Sequence, residues 1–325
     1  MTLRVGVIGA GFGARVVAPV FAATDGCLVV DVVSARDDDA VRELCGRRDL
    51  DLVTVHSPPF LHRPHVELAL EGGHAVLCDK PFGRTAGEAG EMLTAAASVG
   101  VVHLVNFEFR HQPARLRLRE LVADGSLGAV GHIVWTCLSA GSRSPMRPHG
   151  WLFDRAAGGG WVGAWGSHAV DALRWLFGDV ALARAVLRTD VGERPDRAGA
   201  LRACDAEDGF TAWLELEAGT SVSIDTSFAA PVSLAQRLLF VGSEGVAECV
   251  NDGRVVFRCV DGTRTEWECR VADGDPHLVA MRAWAEVVRD AVIAGVAPPG
   301  APTFADGLAC REVLDALLGG APRPV

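Results

Sequence analysis

Three groupings in this chain of 325 residues have the residue types and spacing that chemistry needs. The first, Cys78-Asp79-Lys80-Pro81, puts an amine at the C-terminal end of Ala75–Cys78, an apolar run that reads as a strand. Open α/β sheets bind their ligands at that end of the strand. Pro81 biases Lys80 towards an extended backbone. An ammonium held there can give a proton to a carbonyl oxygen or help take one from a hydroxyl. A free lysine titrates at ~10.4, so service as a base needs burial or a neighbouring positive charge. Taken alone, a Lys-Pro pair reads more readily as a solvated surface lysine. The second grouping is His168 with Asp171, three apart in the helical run His168–Leu176 and so on one face. A histidine steered by a carboxylate suits a substrate hydroxyl. The competing reading is a helix-terminal histidine satisfied by local backbone, with Asp171 favouring the helix start.

The third grouping is Gly9-Ala10-Gly11-Phe12-Gly13-Ala14, entered from the apolar run Leu3–Ile8 and followed at once by a helix-forming stretch, Ala14–Ala23. At such a junction backbone N–H groups approach a pyrophosphate, and the helix N-terminus adds partial positive charge. Gly9 makes the tight turn, Gly11 permits close approach, and Ala14 supplies the small residue where helix packs on strand. The loop, with Phe12 and Gly13, therefore reads as a dinucleotide site. Cofactor choice turns on the residue after the second strand, here Ser34. A small hydroxyl with Arg36 nearby suits a 2′-phosphate and so NADP, with NAD as the alternative. Arg36 could instead be solvated, or paired with Asp37-Asp38-Asp39.

Strand-like runs alternate with helical ones up to about residue 110, the signature of a parallel sheet with crossover helices. Strands fit Arg4–Ile8, Leu28–Ser34, Leu52–His56, Ala75–Cys78 and Val101–Asn106; helices fit Asp38–Arg47, Arg63–Glu71 and Ala86–Ser98. The second and third strands are too close for another strand between them, so the expected Rossmann sheet is trimmed by one strand. Beyond Pro113 a helix over Arg115–Ala123 precedes antiparallel signatures from Val130 to Arg270, with Ala218-Gly219, Asp252-Gly253 and Asp261-Gly262 as hairpin turns. Val191–Asp208 has no periodicity and reads as a long loop. Helices over Leu278–Ala294 and Phe304–Leu318 close the chain. The expectation is an α/β protein of two domains: a dinucleotide-binding domain at 1–110 and a substrate domain at 111–325 with an open, mostly antiparallel sheet.

Basic residues number 31 and acidic ones 41, giving a net charge of −10. With no basic block, neither nucleic acid nor an anionic membrane surface is an expected partner. No apolar run has the length to span a bilayer, and the first residues read as strand, turn and helix instead of a signal peptide. The location expected on these grounds is cytoplasmic. Nine scattered cysteines without paired spacing suit a reducing compartment, and no metal site is expected. Tyrosine is absent, which removes the tyrosine–lysine pair used by one large class of Rossmann dehydrogenases.

Four segments, in order, resemble the Gfo/Idh/MocA oxidoreductases. They are the glycine loop; Ser57-Pro58-Pro59-Phe60-Leu61-His62, similar to Thr-Pro-Asn-x-x-His; Asp79-Lys80-Pro81, similar to Glu-Lys-Pro; and Gly158-Gly159-Gly160-Trp161 through His168 and Asp171. Weaker echoes are Asn106 through Arg110 to Pro113, and Gly242-Ser243-Glu244-Gly245. The resemblance implies Lys80 and His168 as catalytic groups. It implies Ser57, Pro58, His62 and Asp79 at the cofactor, and Arg110, Trp151 and Asp171 at the substrate. Trp161 and Trp165 flank the same glycine run, where indoles can stack on a sugar or cyclitol ring. The implied activity is hydride transfer between a nicotinamide and a secondary alcohol or ketone of a sugar, cyclitol or polyol. The implied assembly is a homodimer or homotetramer formed through the C-terminal sheet. One position departs from the pattern: the aspartate expected four residues before His168 is Ala164. That departure admits a non-catalytic dinucleotide-sensing protein as an alternative. A glycoside hydrolase of the same family that retains NAD is another.

Overall fold

Leu3–Ile8 is an interior strand of the first sheet, paired on both edges, and five of its six residues are buried. In the computed structural model, which describes residues 2–271 and 273–319, β1 (Leu3–Ile8) leads through a π-turn at Gly13–Val17 into α1 (Ala18–Ala22). Then come β2 (Cys27–Val33), α2 (Asp38–Gly46), β3 (Leu52–Val55), α3 (His62–Glu71), β4 (Ala75–Cys78), α4 (Ala86–Val99) and β5 (His103–Val105). The remainder runs α5 (Pro113–Ala123), β6 (Val130–Leu138), α6 (Ser167–Phe177), β7 (Val180–Arg188), β8 (Glu193–Pro195), β9 (Leu201–Ala203), β10 (Gly209–Leu216), β11 (Ser221–Ser227), β12 (Arg237–Gly242), β13 (Gly245–Val250), β14 (Arg254–Cys259), β15 (Arg264–Glu268), α7 (Leu278–Ala294) and α8 (Phe304–Leu317).

The chain forms two units, Met1–His111 with Ala272–Glu312, and Gln112–Val271 with Val313–Val325. In the first, five parallel strands lie in the order β2-β1-β3-β4-β5. This is a doubly wound sheet without a strand beyond β2, as the short second-to-third strand spacing implies. The connections diverge between β1 and β3, and ligands of such sheets bind at that switch point. Local chemistry starts the helices. Asp37 caps α2 by accepting from the Ala40 N–H at 3.1 Å. At α4, Thr85 accepts from Glu88 N–H at 3.2 Å while Glu88 accepts from Arg84 N–H at 2.8 Å.

One expectation about domain extent needs correcting. The sequence suggests that everything after residue 110 is one domain, yet α7 belongs to the first unit. Met281, Trp284, Ala285 and Val288 bury their side chains in one core with Leu3, Val5, Phe21, Leu52 and Leu104. Amphipathic periodicity says that a helix buries a face, not which sheet will cover it.

The second unit is built on eight strands ordered β15-β14-β13-β12-β6-β11-β10-β7. All pairs are antiparallel except β6 with β11. The expected loop at Val191–Asp208 instead contains the β8–β9 hairpin, held by Arg194, which is fully buried. Its guanidinium donates to the Ser142 carbonyl and, at 3.0 Å, to Ser142 Oγ. It also lies 4.0 Å over the Phe153 ring and 3.7 Å from Asp208. Strands of three residues carry no readable period, so only tertiary contact reveals them. Among the described residues no helix is long and apolar enough to cross a membrane.

Candidate active site

Gly9 adopts φ +138°, and a Cβ there would stand 2.6 Å from the His56 carbonyl oxygen, so only glycine fits. Its N–H donates to Val33 O at 2.8 Å, and its carbonyl accepts from Ala14 N–H at 2.9 Å, closing the turn. A Cβ on Gly11 would meet nothing within 4 Å, leaving that side open to a ligand. The N–H groups of Gly11 and Phe12 donate to no acceptor among the described residues. Two unspent donors beside an open glycine are what a pyrophosphate needs. The tight helix–strand contact, assigned above to Ala14, falls instead at Gly13, whose Cβ would lie 3.1 Å from Val7 Cγ1.

Lys80 follows β4 at the end of the sheet that the switch point marks. It is half-buried, and its N–H donates to Asp79 Oδ1 at 3.0 Å; Asn106 Nδ2 donates to the same oxygen at 3.3 Å. Asp79 Oδ2 lies 3.3 Å from Nδ1 of His56, whose side chain is wholly buried. Burial pushes the Asp79 carboxyl up. Contact with His56 and its charge, then the charges of Lys80 and His62, outweigh burial and hold it well below the usual carboxylate range. Lys80 is also the chain's one lysine, against thirty arginines. Lysine, unlike arginine, carries a proton it can give up, which sets Lys80 apart from the thirty arginines. Composition alone would have supplied that signal.

The remaining cofactor candidates divide. Ser57 and Pro58 lie at the start of the connection after β3, at the switch point, with Ser57 buried and Pro58 half-buried. His62 is buried, its Nε2 donating to Ser57 O at 2.8 Å and its Nδ1 lying 3.1 Å from Pro81 O. It clamps the Ser57 and Pro81 loops together, so both ring nitrogens are engaged within the protein. Ser34 Oγ accepts from Arg36 N–H at 3.3 Å, leaving the Arg36 side chain exposed. Arg36 makes no ion pair with Asp37, Asp38 or Asp39 among the described residues; those carboxylates start α2 instead. Arg110 is held within the first unit. Its guanidinium donates to Gly300 O at 3.0 Å and pairs with Asp306 at 3.1 Å, anchoring the turn after β5 to the α8 start. A guanidinium so engaged suits anchoring better than substrate contact.

In the second unit His168 and Asp171 are both buried on α6, which opens with a π-turn at Val162–Gly166 containing Ala164. Trp151 starts a 3-10 turn and is half-buried. Gly160, at φ +113°, is required because a Cβ would strike the Glu207 carboxylate. Glu207, absent from the sequence reading, is buried and accepts from Val162 N–H at 3.0 Å. Trp161 stacks flat on Phe228 at 4.3 Å and donates from Nε1 to Thr226 Oγ1 at 2.8 Å. Trp161 is thus packed as a structural residue, and Trp165 likewise meets Trp135 and Phe210. A second missed pair lies in the first unit. Buried Glu108 contacts His277 Nδ1 at 2.5 Å, and the His277 ring stacks on Phe109 and meets Phe12 edge-on at 4.9 Å. A glutamate set among aromatics at Phe107-Glu108-Phe109 was the available signal.

The buried histidines beside this loop make acid stability measurable. Burial first, then the charge of His62, pulls His65 down to about 4, and burial lowers His62 and His103 likewise. An unfolded histidine titrates at ~6.5. Between these values only the unfolded chain takes the proton, so stability falls as pH falls through that window. His65 accounts for about 2–3 kcal/mol of this loss. Melting followed from neutral to mildly acid pH should show a shallower decline for His65→Gln than for the parent chain. Parallel curves would contradict the assignment.

A family model described as an oxidoreductase family with an NAD-binding Rossmann fold matches residues 3–107. The GFO/IDH/MocA C-terminal domain model matches residues 116–248. Levoglucosan dehydrogenase of Pseudarthrobacter phenanthrenivorans is 31% identical over 159 residues, 49% of this chain and 41% of that protein. D-apiose dehydrogenase of Paraburkholderia graminis is 32% identical over 255 residues, 76% and 61% of the two chains. The chain thus spans less than two thirds of the length of either relative. Inositol 2-dehydrogenase 3 of Saccharopolyspora erythraea is 26% identical over 100% of this chain and 96% of its own. Among solved structures, a levoglucosan dehydrogenase complex with NADH and levoglucosan superposes with a TM-score of 0.87 at 23% identity, covering 99% and 97% of the two chains. That likeness concerns the fold.

Proposed function

The chain belongs to the Gfo/Idh/MocA oxidoreductases, and we propose that it moves hydride between a nicotinamide cofactor and a secondary alcohol or ketone of a sugar, cyclitol or related polyol. The observation carrying this reading is the chain's one lysine, backbone-anchored to Asp79 at the sheet end where the glycine loop keeps two N–H donors unspent. The cofactor, when bound, supplies the hydride chemistry. The Gly11 and Phe12 N–H groups would hold its pyrophosphate. Lys80 gives a proton to the substrate oxygen during reduction and holds it during oxidation. His168, with Asp171 one helical turn on, is assigned the second proton-handling role, and Trp151 offers an indole face to the sugar ring. The relatives named for levoglucosan, D-apiose and inositol support this substrate class.

NADP is the assigned cofactor. Ser34 presents no carboxylate to repel a 2′-phosphate, and Arg36 stands exposed without an acidic partner among the described residues. A charge-assisted contact of this kind is worth about 1.5–3 kcal/mol. Arg36→Ala should therefore weaken NADPH binding about tenfold or more and leave NADH nearly unchanged, read by calorimetric titration. Tighter binding of NADH by the parent chain would refute the assignment. The outward face of the second sheet, where Val186 and Trp213 are exposed, supports a homo-oligomer assembled through that sheet. Ala164 in place of the family's aspartate favours a second reading, a dinucleotide-sensing binding protein. Nicotinamide binding without turnover of any polyol or ketone would distinguish it.

A further inference from the structure

His56 stands where the glycine loop, the end of β1 and the end of β4 converge. Its N–H donates to Ile8 O at 2.8 Å. Its carbonyl is the atom that excludes a side chain from Gly9, and a Cβ on Gly13 would lie 3.2 Å from its Cβ. Phe12 meets the imidazole edge-on at 5.8 Å. On the far side, Nδ1 is 3.3 Å from Asp79 Oδ2, while Asp79 Oδ1 receives Lys80 N–H and Asn106 Nδ2. The ring is fully buried, yet neither nitrogen completes a hydrogen bond among the described residues. Contact with Asp79 is close enough for charge attraction but off the line of a hydrogen bond. Leaving such groups unmet in a protein interior costs stability, and an aliphatic side chain would fill the space without that cost. Packing alone does not account for a histidine here.

We propose that His56 is a positioning residue that fixes the Asp79 carboxylate and thereby couples occupation of the glycine loop to the placement of Lys80. The titratable groups facing it are Asp79 from the end of β4 and His62 from α3. A ligand pressing on Gly11 and Phe12 moves the loop against the imidazole. The imidazole bears on Oδ2, and Oδ1 carries the lysine backbone. The coupling depends on the proposed role of Lys80 for its catalytic meaning, though not for its detection.

One lysine makes the test direct. In the full chain grown with nitrogen-15 lysine, one backbone amide resonance belongs to Lys80 and reports its bond to Asp79. Adding NADPH should shift that resonance in the parent protein. His56→Leu should displace it before NADPH is added, by most of the shift that Asp79→Ala produces. His56→Leu should also still bind NADPH by calorimetry, with a resonance that no longer follows the titration. His56→Asn, which keeps a polar atom at the Nδ1 position, should restore both behaviours. Should His56→Leu fail to melt cooperatively, His56→Gln replaces it, since its amide reaches the Nε2 position instead and should displace the resonance. A His56→Leu resonance at the parental position, or one following NADPH as in the parent, overturns the proposal. Equal displacement in the leucine and asparagine variants also overturns it, since only volume would then matter. Undiminished turnover by Lys80→Met would refute the catalytic reading of Lys80 and leave this coupling measurable.

Discussion

Lys80→Met is expected to lower turnover about a thousandfold while NADPH still binds within a few-fold of the parent affinity. Proton transfer by a positioned side chain contributes roughly 10²–10⁴ in rate, and no second lysine exists to substitute. Cofactor affinity should survive because the pyrophosphate donors are backbone N–H groups of Gly11 and Phe12, which the substitution does not touch. Methionine matches the length of the lysine stem, so Asp79 keeps its hydrogen bond to the residue 80 N–H. Lys80→Arg is expected to be nearly as inactive. Its guanidinium stays protonated at any pH the fold tolerates, and so cannot exchange a proton. Steady-state turnover beside calorimetric NADPH binding checks the pair of claims. Near-normal turnover by Lys80→Met would remove the lysine from the chemistry.

The second large effect is structural. Gly9→Ala forces a side chain into φ +138°, with its Cβ 2.6 Å from the His56 carbonyl oxygen. Backbone in that region costs of the order of 1–3 kcal/mol for a non-glycine residue, before the overlap is relieved. The obstructing atom is backbone, pinned through His56 N–H to Ile8, so relief means moving the glycine loop itself. The expected outcome is a loss of about 3 kcal/mol or more of stability. NADPH affinity should fall far more than in any Lys80 variant. Thermal melting with calorimetry distinguishes this from Gly11→Ala, where the added Cβ meets no protein atom. That variant should melt like the parent and lose only cofactor affinity. Parental melting and binding by Gly9→Ala would show that the loop is not the rigid cradle described.

What was legible in the sequence was what is chemically exclusive. Only glycine tolerates the Gly9 conformation, so that residue stands out from one chain, whereas a Lys-Pro pair gains meaning only from its place at the end of β4. The trimmed sheet was legible because about eighteen residues between strands hold one helix and no more. Other features arise from contacts far apart in sequence. Arg110 advertises an anionic partner, but nothing in its neighbourhood tells a substrate from Asp306, nearly two hundred residues on. His62 reads as polar and available until Ser57 and Pro81 close on it. His56 sits in an apolar strand context and gains its meaning only when Asp79 and the glycine loop meet it. Arg194 lies in a run without periodicity, and its buried role depends on Ser142 and Phe153.

Both motif-bearing helices, after the glycine loop and before His168, open with a π-turn, at Gly13–Val17 and Val162–Gly166. Widened turns of this sort recur at functional sites, and the first is followed by Pro19, which has no N–H to continue the ladder. Propensity gives no warning of either. The sequence placed one continuous helix across Ala14–Ala23, whereas the α-helical part is Ala18–Ala22. The donors of Gly11 and Phe12 precede the first turn and so have no ladder partner.

The most direct measurement is a crystal structure of the chain grown with NADPH. Density for the pyrophosphate should lie against the N–H groups of Gly11 and Phe12, with the 2′-phosphate beside Ser34 and Arg36 and the Lys80 amine turned towards the nicotinamide ring. A glycine loop left bare at saturating cofactor, or a Lys80 amine pointing to bulk solvent with the nicotinamide in place, would contradict the account.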